Sequence, residues 1–126
     1  MVQVLTPYED ALRYMDNAKE ALKKAGKKDG EYEDVKYVKS ASGIAYSAVL
    51  LALDEYLLRK EGAKYKKPKS IEAYRIRVGK QNKKVLSWLN VVYDTLHLAG
   101  YYHGTTSFKI IKLGMDESMK IINLVK

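Results

Sequence analysis

Apolar positions in this chain recur every three or four residues and never settle into the two-residue alternation of a strand. Tyr8, Ala11, Leu12, Met15, Ala18 and Leu22 form the first such stripe. Thr6-Pro7-Tyr8-Glu9 opens it: Thr6 can cap the helix, Pro7 suits the first helical position, and Glu9 completes a capping box. Lys23 and Lys24 put positive charge at the negative end of the helix dipole, and Gly26 stops the pattern. Lys27-Lys28-Asp29-Gly30 reads as a polar turn, short enough to make the next helix an antiparallel neighbour.

A second helix is predicted from about Glu31 to Glu61, with an acidic start (Glu31, Glu33, Asp34) and Gly62 as its stop. Tyr37, Ala41, Ile44, Ala48, Leu51, Glu55 and Leu58 trace one face, with Ala45 and Ala52 beside it. The small residues from Ser40 to Ala48 allow another helix to approach closely. Ala48 to Leu53 is apolar nearly all round, which makes this helix central. Gly62 to Lys69 is a basic linker closed by Pro68, and Ser70 can cap a short helix from Ile71 to Val78 that Gly79 weakens. A third long helix is predicted from about Lys80 to Gly100 or Tyr102, with Val85, Leu89, Val92, Leu96 and Ala99 as its stripe. After Gly104, one of Thr105, Thr106 or Ser107 caps a last helix whose stripe is Phe108, Ile111, Met115, Met119, Ile122 and Val125. The expectation is all-α: one domain over residues 1–126, an up-and-down four-helix bundle with a short extra helix before the third long one.

Composition narrows the function classes. No run approaches the ~20 apolar residues of a membrane span, and Met1-Val2-Gln3-Val4-Leu5 lacks the basic start and long apolar stretch of a signal peptide. Without cysteine there is no disulfide, thiolate nucleophile or thiol-held zinc, consistent with a cytoplasmic protein. The net charge of +8 is uneven: Arg59 to Lys84 carries eleven basic and two acidic residues, and everything else comes to −1. Within that segment Lys64, Lys66, Lys67, Lys69, Arg75, Arg77, Lys80, Lys83 and Lys84, with Tyr65 and Tyr74, can neutralise phosphates and stack on bases. RNA or another nucleic acid is therefore an expected partner. A solvated face that serves solubility is the plainer alternative.

Catalytic templates are sparse. Neither a Gly-x-Ser-x-Gly elbow nor a phosphate-cradling glycine loop occurs. A di-iron bundle needs Glu-x-x-His pairs, and neither histidine has a glutamate three residues before it; Asp94 and His97 share a helix face but lack further ligands. No metal or cofactor is expected. The two histidines, His97 and His103, lie six residues apart in Tyr93-Asp94-Thr95-Leu96-His97-Leu98-Ala99-Gly100-Tyr101-Tyr102-His103-Gly104. They are the candidate catalytic pair. On an α-helix they would point about 240° apart, so they meet only if the helix ends early or a second subunit brings them together. The plainer reading makes His97 a surface or interface residue and His103 a cap.

The Leu89 to Leu98 helix end, Ala99-Gly100-Tyr101, the Thr105-Thr106-Ser107 cap and the Phe108 to Val125 helix together resemble a HEPN domain. Ala18 to Leu22 and the small-residue, aromatic-containing stretch Ser40 to Ala48 resemble that family's first two helices. Ribonuclease members carry an arginine, a short spacer and a histidine, and dimerise to bring two such motifs into one cleft. Here His97 stands where the resemblance calls for arginine, an imidazole in place of a permanently charged, bidentate guanidinium. The resemblance implies a homodimeric, non-catalytic binding module engaging nucleic acid or a partner protein such as a nucleotidyltransferase. A divergent metal-independent ribonuclease using His97 and His103 is one alternative, and a purely structural or regulatory helical partner is another.

Overall fold

Five α-helices, a π-helical stretch, two short 3-10 turns and a hairpin of two-residue strands occupy residues 4–126, which are those a computed structural model describes. Met1, Val2 and Gln3, part of the N-terminal pattern read above, lie outside the described residues. Helix α1 spans Pro7–Ala25 with the expected capping box: the Thr6 hydroxyl accepts from the Glu9 amide, and Glu9 accepts from the Thr6 amide. Helix α2 spans Val35–Glu61, α3 Ile71–Gln81, α4 Lys83–Val92 and α5 Phe108–Ile122. The all-α expectation is met, with α2 at the centre against α1, α5 and the C-terminal extension of α4.

The expected polar turn is instead a hairpin, β1 (Lys27–Lys28) paired antiparallel with β2 (Glu31–Tyr32). Asp29 and Gly30 both take positive φ, the backbone that a tight two-residue hairpin turn demands. Helix α2 consequently begins four residues later than the acidic run suggests, with Asp34 as its cap. The hairpin also straps the start of α5. The Tyr32 amide donates to the Thr106 carbonyl at 2.8 Å, Thr106 and Glu31 bond through their side chains, and Lys27 sits 4.0 Å over the Phe108 ring.

Two further departures concern the third long helix. Gly79 does not end α3; its bare backbone instead lets Leu86 of α4 pack close, 3.1 Å from where a Cβ would stand. The break falls at Asn82, which is extended (φ −165°) and serves both helices. Its amide donates to Val78, and its side chain accepts from Lys84 and Val85. From Tyr93 to Tyr102 the helix then winds as a π-helix, with bonds such as the His103 amide to the Leu98 carbonyl at 2.9 Å. The wider winding moves the buried stripe from Ala99 to Gly100: Val85, Leu89, Val92 and Leu96 are fully buried, then Gly100.

Small residues let the helices close up. A Cβ at Gly100 would collide with the Ser42 hydroxyl and one at Gly114 with Thr95 and Leu96, while Gly43 admits the Tyr101 ring at 3.0 Å. The close approach expected at Ser40 to Ala48 is thus present, and the π segment fills it. The face drawn through Leu51 and Leu58 is displaced: α2 buries Val38, Ala41, Ala45, Ala48, Val49, Ala52, Leu53, Tyr56 and Leu57, and Leu58 is exposed. Two buried faces make α2 long and apolar enough to cross a membrane by length and composition alone, contrary to the expectation that no segment would be. Half of its most apolar stretch is buried in the bundle, as a core helix requires.

Candidate functional site

Lys36, Lys39, Gly43 and Ser47 follow one another at steps of three and four along α2, with Ser40 beside Lys39, so they share a face. With Tyr14 of α1 and His97 and Tyr101 of the π segment they line an open cleft of about 590 Å³. The π segment presents its rings at a spacing of four residues. Tyr93 and His97 stack at 5.0 Å and 22°, and His97 and Tyr101 at 6.0 Å and 15°. Tyr46 closes on His97 from α2 at 4.7 Å.

This column is closed at one end and open at the other. The Arg75 guanidinium lies 4.4 Å over the Tyr93 ring, held there by Asn90 (3.1 Å) and Glu72 (2.7 Å). Tyr101 at the far end is half exposed. Burial pushes the Tyr46 hydroxyl up to about 12, with Tyr93 adding to the shift and Arg75 opposing it, so it stays a neutral donor. Neither Lys36 nor Lys39 forms an ion pair among the described residues. Aromatic faces beside unpaired cations can stack a planar ring and hold an attached anion. Among the described residues no cluster of histidine, aspartate and glutamate could hold a metal.

The expected histidine pair is not assembled within the chain. His97 lies in the cleft, hemmed by three tyrosine rings. His103 is exposed, caps the π segment and meets Tyr102 edge-on, and it does not line the cleft.

The nine basic residues are likewise dispersed. Lys67 borders a second cavity of about 340 Å³ that shares Tyr14 and Ser47 with the first, so the two lie side by side along α2. Lys64 and Lys66 line a separate cleft with Lys60, Glu61 and Arg77. Arg77 is bound to Glu61 through two nitrogens and lies over Tyr65, and the Glu61 carboxyl is held below its ordinary range chiefly by that hydrogen bond. Arg75 is occupied behind Tyr93. Lys69, Lys80, Lys83 and Lys84 are exposed, with Lys84 reaching toward Trp88.

Sequence reasoning missed Lys36, Lys39, Tyr14 and Tyr46 as site residues, because they lie outside the segment with the charge excess. The legible signal was the run of small residues on α2, which marks the floor of the cleft as much as a packing seam.

Over residues 6–126 the sequence matches the family described as "Domain of unknown function (DUF5618)", and the chain belongs to it. It is similar to a solved structure described as a protein of unknown function from Dyadobacter fermentans. The two share 39% sequence identity over 94% of this chain and 92% of that one, with a TM-score of 0.83. No curated protein matches the chain.

Proposed function

We propose that this DUF5618 chain is a non-catalytic module that takes single-stranded nucleic acid into the groove along α2. The observation that carries the reading is the ring column of Tyr46, His97 and Tyr101 in a cleft rimmed by Lys36 and Lys39. Bases stack on the exposed end of the column, phosphates meet Lys36 and Lys39, and the strand continues past Tyr14 toward Lys67. His97 acts as a stacking ring in this reading, with no proton to move. We also read the bundle as HEPN-like. What supports this is the order of its helices and the position of the His97 block at the end of the long helix before the last.

The test is fluorescence anisotropy with a labelled oligonucleotide of about 12 residues, a length within single-strand site sizes. Three phosphate contacts at Lys36, Lys39 and Lys67 predict a log–log salt slope near −2 for a single strand. Tyr101→Ala weakens binding by about tenfold or more, the effect of losing one stacked base. Failure to bind any oligonucleotide at low salt would end the proposal.

A further inference from the structure

One group in the groove fits poorly with a ligand that is only a polyanion. Asp54 of α2 is half-buried at the junction of the Tyr14–Ser47–Lys67–Tyr74 cavity with a neighbouring one of about 350 Å³ that includes Pro7 and Tyr65. The Tyr74 hydroxyl donates to its Oδ1 at 2.6 Å. No lysine or arginine pairs with it among the described residues, in a chain with eight more positive than negative charges. Burial pushes the Tyr65 and Tyr74 hydroxyls up and the Asp54 charge adds to both shifts, so the two phenols stay protonated.

An ionised carboxylate accepts at several lone-pair sites, of which the Tyr74 hydroxyl uses one and the neighbouring Tyr65 hydroxyl engages another. What remains repels phosphate and rewards a ligand group that donates. In a nucleic acid, cytosine offers its N4 amino group to such an acceptor and adenine its N6 amino group. Thymine presents a carbonyl oxygen and a methyl group at the corresponding edge. A thymine at this point leaves two acceptors facing each other, a loss that a site built around hydrogen bonding discriminates strongly.

Resting on the groove reading above, we propose that Asp54 is a specificity-determining residue that selects strands with amino-bearing bases, cytosine foremost, over thymine. The experiment compares labelled oligo-dC and oligo-dT of equal length on the wild-type chain at neutral pH. Oligo-dC binds about tenfold tighter, the effect of one charge-assisted hydrogen bond. In Asp54→Asn the single amide oxygen is taken by the Tyr74 hydroxyl and the amino end turns to the groove, so the preference for oligo-dC is lost or reversed toward oligo-dT, whose carbonyl oxygen accepts from that amino group. Tyr74→Phe, which leaves the carboxylate in place, keeps the preference. Thermal melts establish that both variants are folded.

Equal affinity of the wild type for the two oligonucleotides overturns the role of Asp54 and leaves the groove reading standing. So does a preference unchanged in folded Asp54→Asn. No binding to either oligonucleotide overturns the groove reading and this proposal with it.

Discussion

The two ends of α2 treat charge in opposite ways. Its C-terminal end belongs to the segment with all of the excess positive charge, yet there Glu61 is met by Arg77 of α3, whose neighbour Arg75 is spent on Glu72, Asn90 and Tyr93. Its N-terminal end belongs to the near-neutral remainder, yet Lys36 and Lys39 stand without ion pairs beside an open ring. A count of basic residues therefore locates the region with most charge, whose arginines are paired, and overlooks the two lysines that rim the ring column. Arginine favours the first fate, since its planar fork satisfies a carboxylate or covers a ring within the fold.

The strongest way to break the contrast is to force the π segment off α2. In Gly100→Val the new branches meet Ser42 and Ile111, where even a Cβ has no room. The cost is about 3 kcal/mol in urea unfolding, typical of overpacking a tight core contact. Oligonucleotide binding falls with it, while the Arg77–Glu61 end is untouched.

Next, Arg77→Ala leaves Glu61 half-buried without its partner and destabilises the chain by about 1–2 kcal/mol. Binding stays within about twofold of wild type, because this cation was never free. If Arg77→Ala abolishes binding without unfolding the protein, the division between the two ends is wrong. Lys36→Ala combined with Lys39→Ala does the reverse: stability barely moves, and the salt slope flattens by about 1.4, the share of two single-strand phosphates.

Acid sharpens the same division. The Glu61 carboxyl is depressed below its ordinary 4.5, so its pairing contributes stability fully above that value and loses it as the pH falls through the lower, folded value. Urea unfolding of wild type and Arg77→Ala should converge as the pH drops below about 4.5. A gap that stays constant into stronger acid would show that the carboxylate is not the source. The smallest effect belongs to Ser42, whose buried hydroxyl finds no partner among the described residues. Ser42→Ala should cost nothing and can gain about 0.5 kcal/mol, since it removes an unsatisfied group.

Where a helix boundary depends on one or two neighbouring residues, the sequence was readable. Thr6 and Ser70 cap where their spacing predicts, and Ser107 is the one of the three candidates that caps α5. What escaped depends on partners distant along the chain. The π segment sets Gly100 against Ser42 and Thr95 against Gly114, contacts that no local propensity encodes. Asn82 fell inside the long helix expected from Lys80, because its double role needed the packing of Leu86 on Gly79 to be known. The cleft itself joins α1, α2 and the π segment, and only their approach turns Tyr14, Lys36, Tyr46 and His97 into neighbours. His103 shows the converse: adjacency in sequence, even within one aromatic block, did not put it in the site.

The strap between the β-hairpin and the start of α5 has a consequence for the order in which the molecule assembles. Glu31 and Thr106 are 75 residues apart, whereas α1 and α2 meet across a nine-residue connection, 26–34. Closing the long loop carries the larger entropic penalty and is rewarded only once the intervening helices are docked. The strap therefore belongs to the late side of the folding barrier. Weakening it, as in Thr106→Val, should speed unfolding in stopped-flow measurements while leaving the refolding rate nearly unchanged. The hairpin acts as a latch on a finished bundle, setting how long the fold persists more than how quickly it forms.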